Sequence, residues 1–103
     1  MKIASFKLLT GEELIAEIKT ESDTHYEVKS PLIVHMMRTP GGPSLGFAQW
    51  SMIQQSVSLM QLYKHALCGS AIEVIPEVAH SYEEQVTGLA LPPPVTASSI
   101  LLG

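Results

Sequence analysis

The sequence predicts a mainly β fold, a small barrel carrying one C-terminal helix. Three observations predict it. Apolar and polar residues alternate along several short segments before residue 76, and turn-forming residues separate those segments. A helical apolar period stands out in one place, from Val78 through Tyr82 and Val86 to Leu89. With 103 residues the chain has the size of one domain and can bury a core without disulfide staples.

Residues 2–9 (KIASFKLL) alternate loosely, and residues 13–19 (ELIAEIK) alternate cleanly, with Leu14, Ala16 and Ile18 on one face. Thr10-Gly11-Glu12 between them makes a hairpin the natural reading. Residues 20–24 form a polar connection, and residues 26–37 form a third strand interrupted at Ser30-Pro31. Proline cannot donate to a ladder, so Pro31 marks a bulge, an edge or a sharp bend. Barrels use such bends to let one strand serve two sheets. The strongest loop signal is residues 39–44 (TPGGPS), around which residues 32–37 and 45–53 can pair.

Gln54-Gln55-Ser56 is a polar break, residues 57–62 resume an apolar strand, and Tyr63-Lys64-His65 interrupts it before an extended stretch over 66–75. Trp50, Ile53, Val57, Met60 and Leu67 also fit helical spacing, with Gly69 as a stop. The β-branched Val57, Ile72 and Val74 favour strand. Pro76 suits a first helical turn, Glu77 complements a helix N-terminus, and Gly88 can cap the end. Residues 1–91 therefore hold a barrel and a helix at about 76–88. Residues 92–103 (PPPVTASSILLG) read as a proline-rich tail, available to order against a neighbour.

Composition narrows the functions. Apolar residues make up 46% and charged ones 16%, which excludes a disordered chain and suggests surface covered by partners. A net charge of −4 excludes coating nucleic acid by bulk charge. The single cysteine, Cys68, excludes an internal disulfide and reads as a small buried thiol in a reducing compartment. No apolar run approaches the roughly 18 residues of a membrane span. Lys7 and Glu12-Glu13 break the pattern of a signal peptide, so the cytoplasm is the expected location.

Catalytic and metal-binding constellations do not assemble. His65 and Cys68 are three apart without a second pair of ligands, while His25, His35 and His80 are scattered. There is no G-x-S-x-G elbow, and Asp23 is the only aspartate. Glu12-Glu13 and Glu83-Glu84 read as solvated pairs, and Gly41, Gly42 and Gly46 do not bridge a strand and a helix as a phosphate loop does. Met36, Met37, Met52 and Met60 read as core filler. No enzyme, cofactor or metal is expected.

The distribution of basic residues is more informative. From Thr39 to the last residue, Lys64 is the only lysine or arginine, and His65 follows it in a tight turn between apolar strands. In a ring that turn would repeat once per subunit. Facing the axis, it would gather lysine and histidine side chains into a positive pore despite the negative net charge. Such a pore would suit an anionic single strand, with Tyr63 available for packing or base stacking.

Two segments resemble the Sm-like superfamily. Thr10-Gly11-Glu12-Glu13-Leu14-Ile15-Ala16-Glu17-Ile18 resembles its first motif, with Ala16 where glycine is usual. Met60-Gln61-Leu62-Tyr63-Lys64-His65-Ala66-Leu67 resembles the Hfq-like form of its second motif. In its strand-first order with a late helix, the chain is similar to small phage-encoded Sm-like proteins. The resemblance implies a five-stranded, strongly bent barrel and a homo-oligomeric ring of about five to seven subunits. It also implies binding of uridine-rich single-stranded RNA at the pore, in RNA metabolism or regulation. Lys64 and His65 would contact RNA and Tyr63 would support the turn. Lys29 and Ser30 stand where the family holds a base. The alternative is a non-enzymatic structural or protein-interaction ring, such as a phage assembly or host-takeover factor, with the apolar Ile100-Leu101-Leu102 of the tail engaging a protein partner.

Overall fold

The computed structural model describes residues 2–50 and 59–87. Alternation produces the first hairpin, β1 (Ile3–Lys7) and β2 (Glu13–Glu21), in a register running from Ile3 opposite Glu17 to Lys7 opposite Glu13. Its turn needs Gly11, whose φ of +98° is a left-handed conformation that an L side chain adopts at a cost. Open space surrounds the position, so Gly11→Ala tests backbone strain alone. The expected loss is about 1 kcal/mol, read as a lower urea midpoint at unchanged slope.

A 15-residue strand, β3 (His25–Thr39), organises the sheet. Along one edge it pairs with β2. Along the other, its first part pairs with β5 (Leu59–Tyr63) and its second with β4 (Gly42–Gln49). Beyond β1 lies the short β6 (Ile72–Glu73), giving the order β4-β3-β2-β1-β6 with β5 beside β3.

The irregularity at Ser30-Pro31 is what lets β3 serve two cores. Ser30 is buried with φ +53°, and the β2–β3 register shifts between the Ile15–Leu32 and Glu17–Lys29 pairs. One extra residue reverses which face a strand presents. Before the bulge, Tyr26 and Val28 join Ala4, Phe6, Leu14, Ala16 and Leu62 in one cluster. After it, Leu32 joins Ile3, Ile15 and Tyr82 in another, with Val34 packed alongside.

The second cluster lies under α1 (Pro76–Thr87). Pro76 opens this helix where its missing donor is harmless, and the Ile75 carbonyl accepts from Val78 and Ala79 N–H at 3.0 Å. Tyr82 is 0% exposed and its hydroxyl donates towards the carbonyls of Ser30 (2.7 Å) and Lys29 (3.1 Å). The helix thus fastens the bulge as well as covering the sheet.

The mainly β fold and its C-terminal helix match the expectation; several details differ. The sheet has six strands and does not close among the described residues, where five and a barrel were expected. Most of TPGGPS is strand: only Pro40 and Gly41 separate β3 from β4, with Gly42 at φ +112°. Pro43 is accommodated because β4 is an edge strand. Residues 66–75 contribute only β6 and a Leu8–Leu67 bridge to the sheet. Met36 and Met37 are 66% and 41% exposed because the β3–β4 hairpin runs beyond both clusters, while Met60 is partly buried as expected. Cys68 is exposed, because its backbone follows the surface beside Lys7 and Leu8 rather than entering the core. The break at Gln54-Gln55-Ser56, Met52, Gly88, Leu89 and the tail over 92–103 lie outside the described residues.

Candidate functional site

Leu62 and Leu67, both buried, anchor the two ends of the Tyr-Lys-His-Ala turn, a short 3-10 helix at Lys64–Ala66. Backbone hydrogen bonds hold it from both sides. Lys64 N–H donates to the Thr24 carbonyl at 2.9 Å, and the Ala66 carbonyl accepts from Leu9 N–H at 2.9 Å. Cys68 N–H donates to the Lys7 carbonyl at 2.8 Å. The turn between β2 and β3 and the end of β1 therefore fix where Tyr63, Lys64 and His65 project.

Three rings meet on the outside of this turn. The Tyr63 and His65 rings stack at 5.6 Å with 26° between planes, and the His25 ring lies 5.6 Å from Tyr63 at 58°. The pairing of His25 opposite Tyr63 across β3 and β5 brings His25 there. Its Nδ1 lies 3.1 Å from Ser22 Oγ and 3.0 Å from Thr24 Oγ1, and the Tyr63 hydroxyl donates to Gln61 at 2.9 Å. Tyr63 is 44% exposed and His65 is exposed. The result is an aromatic surface with polar anchors behind it.

Lys64 leaves the same turn differently. Its Nζ is 2.8 Å from Glu21 Oε2 and 5.2 Å above the Tyr26 ring. His25 and Tyr26 are successive strand residues and present opposite faces. The ring group and the ammonium therefore flank the start of β3. The hydrogen bond from Lys64 holds the Glu21 carboxyl below the usual carboxylate range, and the same bond holds the ammonium above its ordinary value. Both side chains remain partly exposed, at 34% for Lys64 and 49% for Glu21.

Lys29 and Ser30 lie elsewhere within the chain. Lys29 is half-buried opposite Leu59, four residues along β3 from His25, or about 13 Å in an extended strand. Ser30 is buried in the bulge under Tyr82. The structure brings Tyr63 and His65 together, turns the Lys64 ammonium to the other face of β3 against a carboxylate, and leaves Lys29 and Ser30 apart.

Sequence reasoning misses two participants. His25 belongs to the ring group, and only the register of β3 against β5 signals it. Glu21 falls in a polar connection by sequence, whereas β2 runs through it and carries its carboxylate to Lys64. Glu21 also borders a cavity of about 670 Å³ between α1, β1, β2 and β6, lined in addition by Lys2, Ile18, Tyr26, Glu73 and Glu83. Among the described residues no group of three or more histidine, cysteine, aspartate or glutamate side chains could hold a metal ion. No helix among them is long and apolar enough to cross a membrane. Comparison with known protein families and with curated proteins returns no match to this chain.

Proposed function

We propose that this chain is an Sm-like subunit that forms a homo-oligomeric ring and binds single-stranded, uridine-rich RNA through the Tyr63-Lys64-His65 turn. One observation carries the reading: a turn held by backbone hydrogen bonds carries exposed, stacked rings on one side of the start of β3 and a partly exposed lysine ammonium on the other. Single-strand binding needs those two ingredients, a surface on which bases stack and a cation for the backbone. Ring formation is supported by the strand order, in which β4 at one end and β6 at the other each have a strand neighbour on one side only among the described residues. Two different open edges favour head-to-tail association, which closes into a ring when the rotation permits. A role in RNA metabolism in the cytoplasm, the host's where the protein is phage-encoded, follows from the same reading.

The test is fluorescence anisotropy of a labelled oligo-uridine titrated with the protein at low and moderate salt. Saturable binding that weakens steeply with salt is expected, because each phosphate neutralised releases counterions. A flat trace at low salt, with folded oligomeric protein in the cuvette, would sink the RNA reading. A second reading, a protein-interaction ring, is favoured by the β3–β4 hairpin, where Met36 and Leu45, directly opposite each other, are both exposed. That reading expects no oligonucleotide affinity at any salt.

A further inference from the structure

We propose that Glu21 is a built-in competitor for the RNA phosphate, setting how strongly an anionic strand must bind before it can use Lys64. This rests on the RNA-binding reading of the turn. Glu21 places a carboxylate oxygen 2.8 Å from Lys64 Nζ, the distance at which a phosphate oxygen would sit on the same ammonium. The Tyr26 ring covers a further side of the ammonium, 5.2 Å from its centroid. An incoming phosphate must displace the carboxylate or approach against its charge.

The pair is placed to exchange rather than to stabilise. Glu21 and Lys64 are 43 residues apart in sequence, and both are partly open to water. Exposed pairs of this kind contribute little to folding and break readily. The turn does not depend on it, since the Thr24, Leu9 and Cys68 backbone bonds hold the loop independently. Asp23, in the neighbouring turn, adds a second negative charge near Lys64. Only a ligand that brings several phosphates at once, as a strand lying across repeated subunits does, compensates for this opposition in every subunit. A mononucleotide does not. Glu21 therefore favours strands over free nucleotides.

The experiment compares wild type, Glu21→Gln, Lys64→Ala and the double variant by anisotropy with labelled oligo-uridine. Glutamine keeps the size of glutamate and one acceptor oxygen and removes the charge. Loss of one like charge at close range on a solvated surface is expected to tighten binding about fivefold. Uridine monophosphate should also compete for the probe at lower concentration with Glu21→Gln than with wild type. The gain must vanish in the Lys64→Ala background.

Three outcomes overturn it. An unchanged or weaker affinity in Glu21→Gln, with wild type binding and Lys64→Ala impaired, removes the competitor and leaves the RNA reading standing. An equal gain with and without Lys64 means general charge rather than competition for this ammonium. Absence of binding by wild type and Glu21→Gln alike, both folded, removes the RNA reading together with the proposal. Glu21→Ala, which also deletes the acceptor, should reproduce the direction of the glutamine result.

Discussion

Tyr82→Ala is expected to cost about 3–5 kcal/mol, the range for deleting a fully buried aromatic side chain, which is a large fraction of the stability of a domain this size. Two losses combine. The ring is the largest fully buried side chain among the described residues, packs edge-on against Phe47 at 6.4 Å, and touches the cluster of Ile3, Ile15 and Leu32. Its hydroxyl also donates towards the adjacent Ser30 and Lys29 carbonyls at the bulge, the shorter bond being to Ser30. Tyr82→Phe separates these contributions, because it keeps the ring and takes the donor from the buried Ser30 carbonyl. That variant should lose about 1–2 kcal/mol in urea unfolding, with an unchanged slope.

The same residue gives an alkaline signature. Burial is the main cause that pushes the Tyr82 phenol above its ordinary value of 10.0. The folded protein therefore keeps this proton while the unfolded chain releases it. Stability from this source is complete below about pH 10 and falls as pH rises from there towards the higher folded value. Wild type should lose stability above about pH 10 more steeply than Tyr82→Phe. Parallel losses in the two proteins would show that Tyr82 is not the group responsible.

What was legible in the sequence follows from local physics. Clean alternation in ELIAEIK sufficed for β2, and Pro76 with Val78, Tyr82 and Val86 sufficed for α1. Ser30-Pro31 marked the bulge because both its proline and its break in alternation are local signals. Register was not legible, and register decides the candidate site. His25 acquires its role only because β5 aligns Tyr63 opposite it. Glu21 acquires its role because β2 continues past the alternating core residues, through Lys19 and Thr20, to the level of the 3-10 turn. The proline and glycines of TPGGPS misled in the opposite sense. Two residues suffice for the turn, and an edge strand tolerates the second proline.

Lys64→Ala is the substitution with the largest expected effect on RNA binding, and its signature differs from that of its aromatic neighbours. Alanine removes the ammonium, while the turn keeps the backbone bonds from Lys64 N–H to Thr24 and from Leu67 N–H to the Lys64 carbonyl. The proposed ring of subunits should therefore persist in this variant, read by size-exclusion chromatography with light scattering. Affinity for oligo-uridine should fall about tenfold or more, since every subunit that engages the strand forgoes a charge-assisted bond to phosphate. The slope of log affinity against log salt should become shallower by about 0.7 for each phosphate no longer neutralised, the single-strand value. Tyr63→Ala should behave otherwise. It deletes the central ring between His25 and His65 and is expected to cost about 1–3 kcal/mol per stacked base. Stacking releases no counterions, so its salt slope should match wild type. Equal slopes in the two variants would place the phosphate away from Lys64, and unchanged affinity in Lys64→Ala would remove this ammonium from the binding surface.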